Sequence, residues 1–235
     1  MNGDGTGTLA LVGGAEWQDG CRKFDAELLE ASGTDEVLVL PTAAAFENPR
    51  RAVETARRYF DELGANVSAL MVLGRREAED DTNAAVVRGS RFVYIGGGSP
   101  MHLRSVLKGS RLWEALVEVW NDGAVLAASS AGAMVLCDPM VDPRGGAYTV
   151  GLGLLSNMPI FPHHDTAPAH LRERSIELRP DSSVLVGIDE QTALLRDPDG
   201  SWRVAGQGTV TIYGPTRDEV AVYASDATVE GLPPG

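Results

Sequence analysis

The hydroxyl best placed to do chemistry belongs to Ser130, in the stretch Ala124-Val-Leu-Ala-Ala-Ser-Ser130-Ala-Gly132-Ala-Met-Val-Leu136. The small and apolar residues before it read as a buried strand, and 131–136 read as the start of a helix. Ala128 lies two residues before the serine and Gly132 two after. A sharp strand-to-helix turn is crowded, so tiny residues at those positions mark a variant of the nucleophile elbow, which lifts a hydroxyl above the edge of a sheet. Alanine stands where the leading glycine is usual. The helix start also offers unpaired N–H groups and a positive dipole end to an anion formed beside the serine. The same residues fit a plain serine N-cap, and the stretch alone leaves both readings open.

A serine nucleophile needs a base within hydrogen-bond reach, and the base needs an orienting carboxylate. His163 and His164 follow the apolar Met158-Pro-Ile-Phe161, a strand that would deliver them to its end. Asp189 and Glu190 close the run Ser183 to Ile188 in the same way. Consecutive side chains on an extended segment face opposite ways, so one histidine and one acid of each pair can serve the serine. His102 falls inside an expected helix and reads as packing or surface. Two other readings compete. His163, His164, Asp165 and His170 could hold a metal, but adjacent strand histidines diverge and there is no helical His-x-x-x-His pair. Gly96-Gly-Gly98 could cradle a phosphate after a strand, but it lacks the spacing and the Lys-Ser/Thr of a P-loop. No cofactor and no metal are expected.

These residues need a scaffold. Thr8–Val12, Glu36–Leu40, Val67–Leu73 and Arg91–Ile95 read as buried strands, with the strand before Ser130 a fifth. Helical spacing lies between them, at Cys21–Ala31, after Asn48-Pro49, over Asp81–Val87, through Leu107 and over Leu112–Trp120. Alternation of this kind demands a doubly wound, mostly parallel α/β sheet with helices on both faces. Reactive groups then collect at the carboxyl ends of the strands. After residue 178, short strands separated by Asp-Gly and Gly-Pro turns read as an antiparallel extension of the same sheet. Residues 1–235 are read as one domain with a tail over 231–235.

The 235 residues carry 43% hydrophobic and 23% charged side chains and a net charge of −13, which argues against nucleic acid or an anionic membrane as partner. No apolar run approaches a membrane span, and Met1-Asn-Gly-Asp-Gly-Thr-Gly7 has no secretory character. Two cysteines, Cys21 and Cys137, read as reduced buried thiols of a cytoplasmic protein. A homodimer is the assembly considered.

Six motifs recur in one order: Gly13-Gly-Ala-Glu16, Pro41-Thr-Ala43, Gly96-Gly-Gly98, Ser129-Ser-Ala-Gly-Ala133, Gly151-Leu-Gly-Leu-Leu155 and Gly187-Ile-Asp-Glu-Gln-Thr-Ala193. Together they resemble the serine-peptidase family of cyanophycinase and aspartyl dipeptidase (peptidase E), whose fold is like that of class I glutamine amidotransferases. The resemblance spans roughly residues 8 to 215. It implies Ser130 as nucleophile, His163 as base and Glu190 as third member. It implies an oxyanion hole from the N–H groups of Ala131 and Gly97, with Gly98 the alternative donor. The expected substrate is a short peptide or isopeptide with an acidic residue at the bond. Ser99 occupies a position where relatives are polar. Arg172 and Arg174 either meet substrate carboxylates, as an arginine cluster does in relatives, or form a solvated helix face with Glu173 and Glu177. The Asp-Gln or Asn-Pro that precedes the base in relatives is here Phe161-Pro162.

Overall fold

The computed structural model describes residues 6–216 and 219–232; residues 233–235 of the expected tail lie outside it. Its strands are β1 (Leu9–Val12), β2 (Glu36–Leu40), β3 (Asn66–Ala69), β4 (Phe92–Ile95), β5 (Val125–Ser129), β6 (Cys137–Asp138), β7 (Met140–Val141), β8 (Tyr148–Thr149), β9 (Leu155–Ser156), β10 (Ile160–Phe161), β11 (Leu185–Ile188), β12 (Thr192–Arg196), β13 (Trp202–Gly206), β14 (Thr209–Tyr213), β15 (Val220–Ala224) and β16 (Thr228–Val229). Its helices are α1 (Arg22–Ser32), α2 (Pro49–Asp61), α3 (Arg75–Ala78), α4 (Asp81–Arg88), α5 (Pro100–Leu107), α6 (Arg111–Asn121), α7 (Ala131–Leu136) and α8 (Ala169–Glu177).

The central sheet runs β16-β13-β12-β1-β5-β4-β2-β3. Its β1-β5-β4-β2-β3 part is parallel throughout, and β12, β13 and β16 extend it antiparallel. Period-2 alternation divides its side chains between two cores. Leu9, Leu11, Leu38, Leu40, Val93 and Ile95 pack with α4, α5 and α6 on one face. Ala10, Val12, Val37, Val39, Phe92 and Tyr94 pack with α1 and α2 on the other. Local signals set the helix ends. The Asn48 side chain accepts the Arg51 amide at 3.1 Å with Pro49 in the first turn, and Gly33 closes α1 in the left-handed conformation.

The C-terminal strands depart from the sequence reading in one respect. Only β12, β13 and β16 join the central sheet; β11, β14 and β15 form a second sheet, ordered β10-β11-β14-β15. The chain crosses between the sheets over 189–191, where Gln191 turns with φ 53°. β12 fills the place beside β1, so β11 pairs instead with β10, in parallel, and with β14. The segment 137–156, for which no strands were expected, forms two small ladders, β6 with β9 and β7 with β8. Cys21 and Cys137 are free and buried. Among the described residues no helix is long and apolar enough to cross a membrane.

Candidate active site

Five strands end at one place. β1 and β5 run parallel with Val12 beside Ser129, so Gly13–Glu16 emerges next to Ser130. β4 and β5 pair Ile95 with Ala128, which brings Gly96-Gly97 to the same edge. In the second sheet β10 and β11 pair Phe161 with Gly187, and His163 and Glu190 leave those strands side by side.

Ser130 has φ 49° and ψ −109°, a region costly for any residue with a Cβ and a mark of stored backbone strain. The turn is as crowded as the small residues suggest. A Cβ on Gly132 would lie 2.8 Å from the Ile95 carbonyl oxygen and 3.3 Å from the Ala128 Cβ. Alanine is tolerated at 128 because its partner at 132 has no side chain. The Ser130 hydroxyl does not cap α7. It lies 2.9 Å from His163 Nε2.

His163 Nδ1 is 2.7 Å from Glu190 Oε1. A carboxylate only accepts, so Nδ1 carries the proton and Nε2 is free to accept the Ser130 hydroxyl. His163 also has positive φ, 51°, and its N–H donates to the Gly13 carbonyl at 2.7 Å. Gly14 makes room for the ring: a Cβ there, at φ 127°, would sit 2.2 Å from His163 Cε1. The Glu190 amide donates to Asp165 Oδ1 at 3.0 Å, and the Thr166 hydroxyl reaches Glu190 Oε1 at 3.3 Å.

The neighbouring residues build a second relay facing away. His164 Nδ1 is 3.3 Å from Asp189 Oδ1, and its Nε2 accepts the Tyr213 hydroxyl at 2.8 Å. Asp189 Oδ2 also accepts the Thr209 amide and hydroxyl, each at 2.8 Å. Burial holds the His164 pKa below its ordinary value, against the pull of Asp189, so this ring stays neutral. The four side chains of the metal reading are therefore dispersed. His163 and His164 serve different partners, Asp165 binds the Glu190 amide, and His170 is exposed on α8.

The expected oxyanion donors separate. The Gly97 amide is committed to Glu16 Oε1 at 3.0 Å, and the other oxygen of that carboxylate accepts the Ser129 hydroxyl at 2.8 Å. The Ala131 amide sits in the first turn of α7, where the helix ladder does not use it. Gly98 lines the cleft beside Ser130. Glu16 closes the motif Gly13-Gly-Ala-Glu16, and no spacing signal in the sequence pairs it with residue 97. Ser99 caps α5, accepting the His102 amide at 3.3 Å. The Arg172 guanidinium donates to the His164 carbonyl at 3.2 Å, and Arg174 is exposed. Neither arginine lines the two clefts that meet at Ser130.

Those clefts differ in character. One, of about 390 Å³, is bordered by Ser130, Ala131 and His163 and walled by Met134, Val141, Phe161, Ala167 and Leu171. The other, of about 560 Å³, borders Ser130, His163 and Gly97 and carries Glu16, Glu47, Asn48 and Arg51.

Known proteins share this chain's pattern. Residues 9–202 match Peptidase family S51. A cyanophycinase of Synechococcus elongatus is 29% identical over 237 residues, covering 93% of this chain and 71% of that protein. A cyanophycinase of Trichormus variabilis is 27% identical over 225 residues, covering 88% and 74%. The crystal structure of a peptidase from an acI-B1 Actinobacterium superposes with a TM-score of 0.86 at 29% identity, covering 97% of this chain and 99% of that one. A putative peptidase E protein from Listeria monocytogenes EGD-e has a TM-score of 0.62 at 17% identity, covering 92% and 98%, a likeness of fold.

Proposed function

The chain belongs to peptidase family S51 and is a serine-type peptidase, and from that premise we propose that it hydrolyses a peptide or isopeptide bond in a short substrate through Ser130, His163 and Glu190. The observation that carries the reading is the unbroken hydroxyl–imidazole–carboxylate chain, 2.9 Å and then 2.7 Å, at a strained elbow.

Ser130 Oγ attacks the scissile carbonyl carbon while His163 Nε2 takes its proton. Glu190 holds the ring and compensates the imidazolium charge. The tetrahedral oxyanion is met by the amides of Ala131 and Gly98, because the Gly97 amide is occupied by Glu16. When the C–N bond breaks, His163 gives the proton to the departing amine and an ester remains on Ser130. Water then attacks that ester, passing a proton to His163, and the acid leaves as the serine hydroxyl is restored. An acidic residue at the bond is the substrate that the sequence resemblance suggests.

Reaction with a serine-directed fluorophosphonate tests the nucleophile. Wild type and Ser129→Ala should label, and Ser130→Ala should not. Equal labelling of Ser130→Ala and wild type would remove Ser130 from the mechanism.

A further inference from the structure

The cavity beside Ser130 does not have the lining that an acidic substrate side chain needs. Met134, Val141 and Phe161 are each less than a tenth exposed, and they form one apolar cluster against which Ala167 and Leu171 pack. Among the described residues, no lysine or arginine lines the cavity. Asp142 borders the cavity, and its carboxylate is 16% exposed. The Arg144 guanidinium hydrogen-bonds that carboxylate and holds its pKa below the usual range, so it stays anionic. Arg144 itself points to solvent, 73% exposed. An aspartyl side chain entering here would give up its water and find no lysine or arginine in the described lining to replace it. An aliphatic or aromatic side chain would exchange water for a preformed apolar wall, in a volume typical of small-ligand sites.

We propose that this cavity selects substrates in which a residue at the scissile bond carries an apolar side chain, such as leucine, methionine or phenylalanine. The inference rests on Ser130 being the nucleophile, since the cavity is defined by its border with Ser130 and His163. The polar cleft that also borders Ser130, with Glu47 and Arg51, takes the charged ends of a short peptide. Leu171, on α8 at the cavity wall and half-buried, is the specificity-determining position that can be changed with least disturbance to the core.

The test is a panel of dipeptides with Leu, Met, Phe, Asp, β-linked Asp or Lys placed on either side of the bond, read as kcat/KM from released amine. The same protein is labelled in parallel with fluorophosphonate. The best apolar substrate should exceed its aspartyl counterpart by about 10- to 100-fold, the scale of burying one such side chain. Leu171→Arg should reverse the preference toward Asp, with labelling reporting that the triad is still assembled. Labelled wild type that favours Asp, or that cleaves none of the panel, overturns the apolar assignment and leaves Ser130 as nucleophile. An apolar preference that Leu171→Arg leaves untouched shows that the selection lies outside this cavity. Wild type that fails to label at all removes the Ser130 reading and the inference with it.

Discussion

At the scale of single residues, the site is two parallel relays made from adjacent pairs. Ser130–His163–Glu190 and Tyr213–His164–Asp189 share a pattern of hydroxyl, imidazole and carboxylate, and side-chain alternation turns one toward the cleft and the other into the second sheet. His163→Ala should therefore lower kcat/KM by about 10²–10⁴-fold, the usual scale for a general base. Glu190→Gln should also cut turnover sharply while keeping the fold, since it removes the charge that compensates the imidazolium. His164→Ala should act chiefly on stability, because it strips a partner from the buried Asp189 carboxylate and from Tyr213. Steady-state kinetics and thermal melts on the three variants separate these outcomes; a larger kinetic loss for His164→Ala than for His163→Ala would reverse the two roles. Glu16 belongs at the same scale. Glu16→Ala leaves the buried Ser129 hydroxyl without its acceptor, at a cost of about 1–3 kcal/mol. An unchanged chemical-denaturation midpoint would show that the Ser129–Glu16 bond contributes nothing.

At the scale of elements, what matters is how the strands aim their ends. Gly14 follows β1 and supplies the space into which the His163 ring swings. Gly14→Ala puts a Cβ at φ 127° against that ring, so His163 must leave its 2.9 Å contact with Ser130. A displacement of about an ångström can cost about 10²-fold in rate. We expect a loss of kcat/KM of that order, and fluorophosphonate labelling slowed in parallel, because the probe needs the same base. Normal labelling with low turnover would place the fault in substrate binding instead. The same scale explains what could be read beforehand. Buried strands at 9–12, 36–40, 92–95 and 125–129 announce themselves as short apolar runs closed by glycine, proline or serine, and the elbow shows in the small residues around Ser130. The partition of β11, β14 and β15 into a second sheet was not legible, because a strand's own residues do not say which neighbour it will pair with. The engagement of the Gly97 amide by Glu16 was not legible either. That contact spans 81 positions and depends on two loops meeting above the sheet.

At the scale of the whole molecule, the central sheet is sandwiched between two apolar layers, and one of them contains an acid. Asp25, on α1, is fully buried among Phe24, Leu28 and Tyr59. The Tyr59 hydroxyl on α2 donates to Asp25 Oδ2 at 2.8 Å, whereas Oδ1 has no hydrogen-bond partner among the described residues. Burial dominates, with the Glu16 charge adding to it, and the pKa is raised to about 8 despite the tyrosine hydrogen bond. The folded state thus holds a proton that the unfolded chain releases near its ordinary value of 3.8. Between those two values the native state binds more protons than the unfolded state, so stability falls as pH rises. The Asp25 contribution is fully present below about pH 4, is lost progressively toward pH 8, and is level above that. The slope contributed by one such group is at most about 1.4 kcal/mol per pH unit. Asp25→Asn keeps the shape and the acceptor for Tyr59 but removes the titration. Denaturant unfolding of both proteins at pH 5, 6.5 and 8 should show wild type losing ground to Asp25→Asn as pH rises. A stability gap between the two that does not change over this range would mean that Asp25 is ionised in the fold, held by charges or water that the packing of α1 against α2 does not account for.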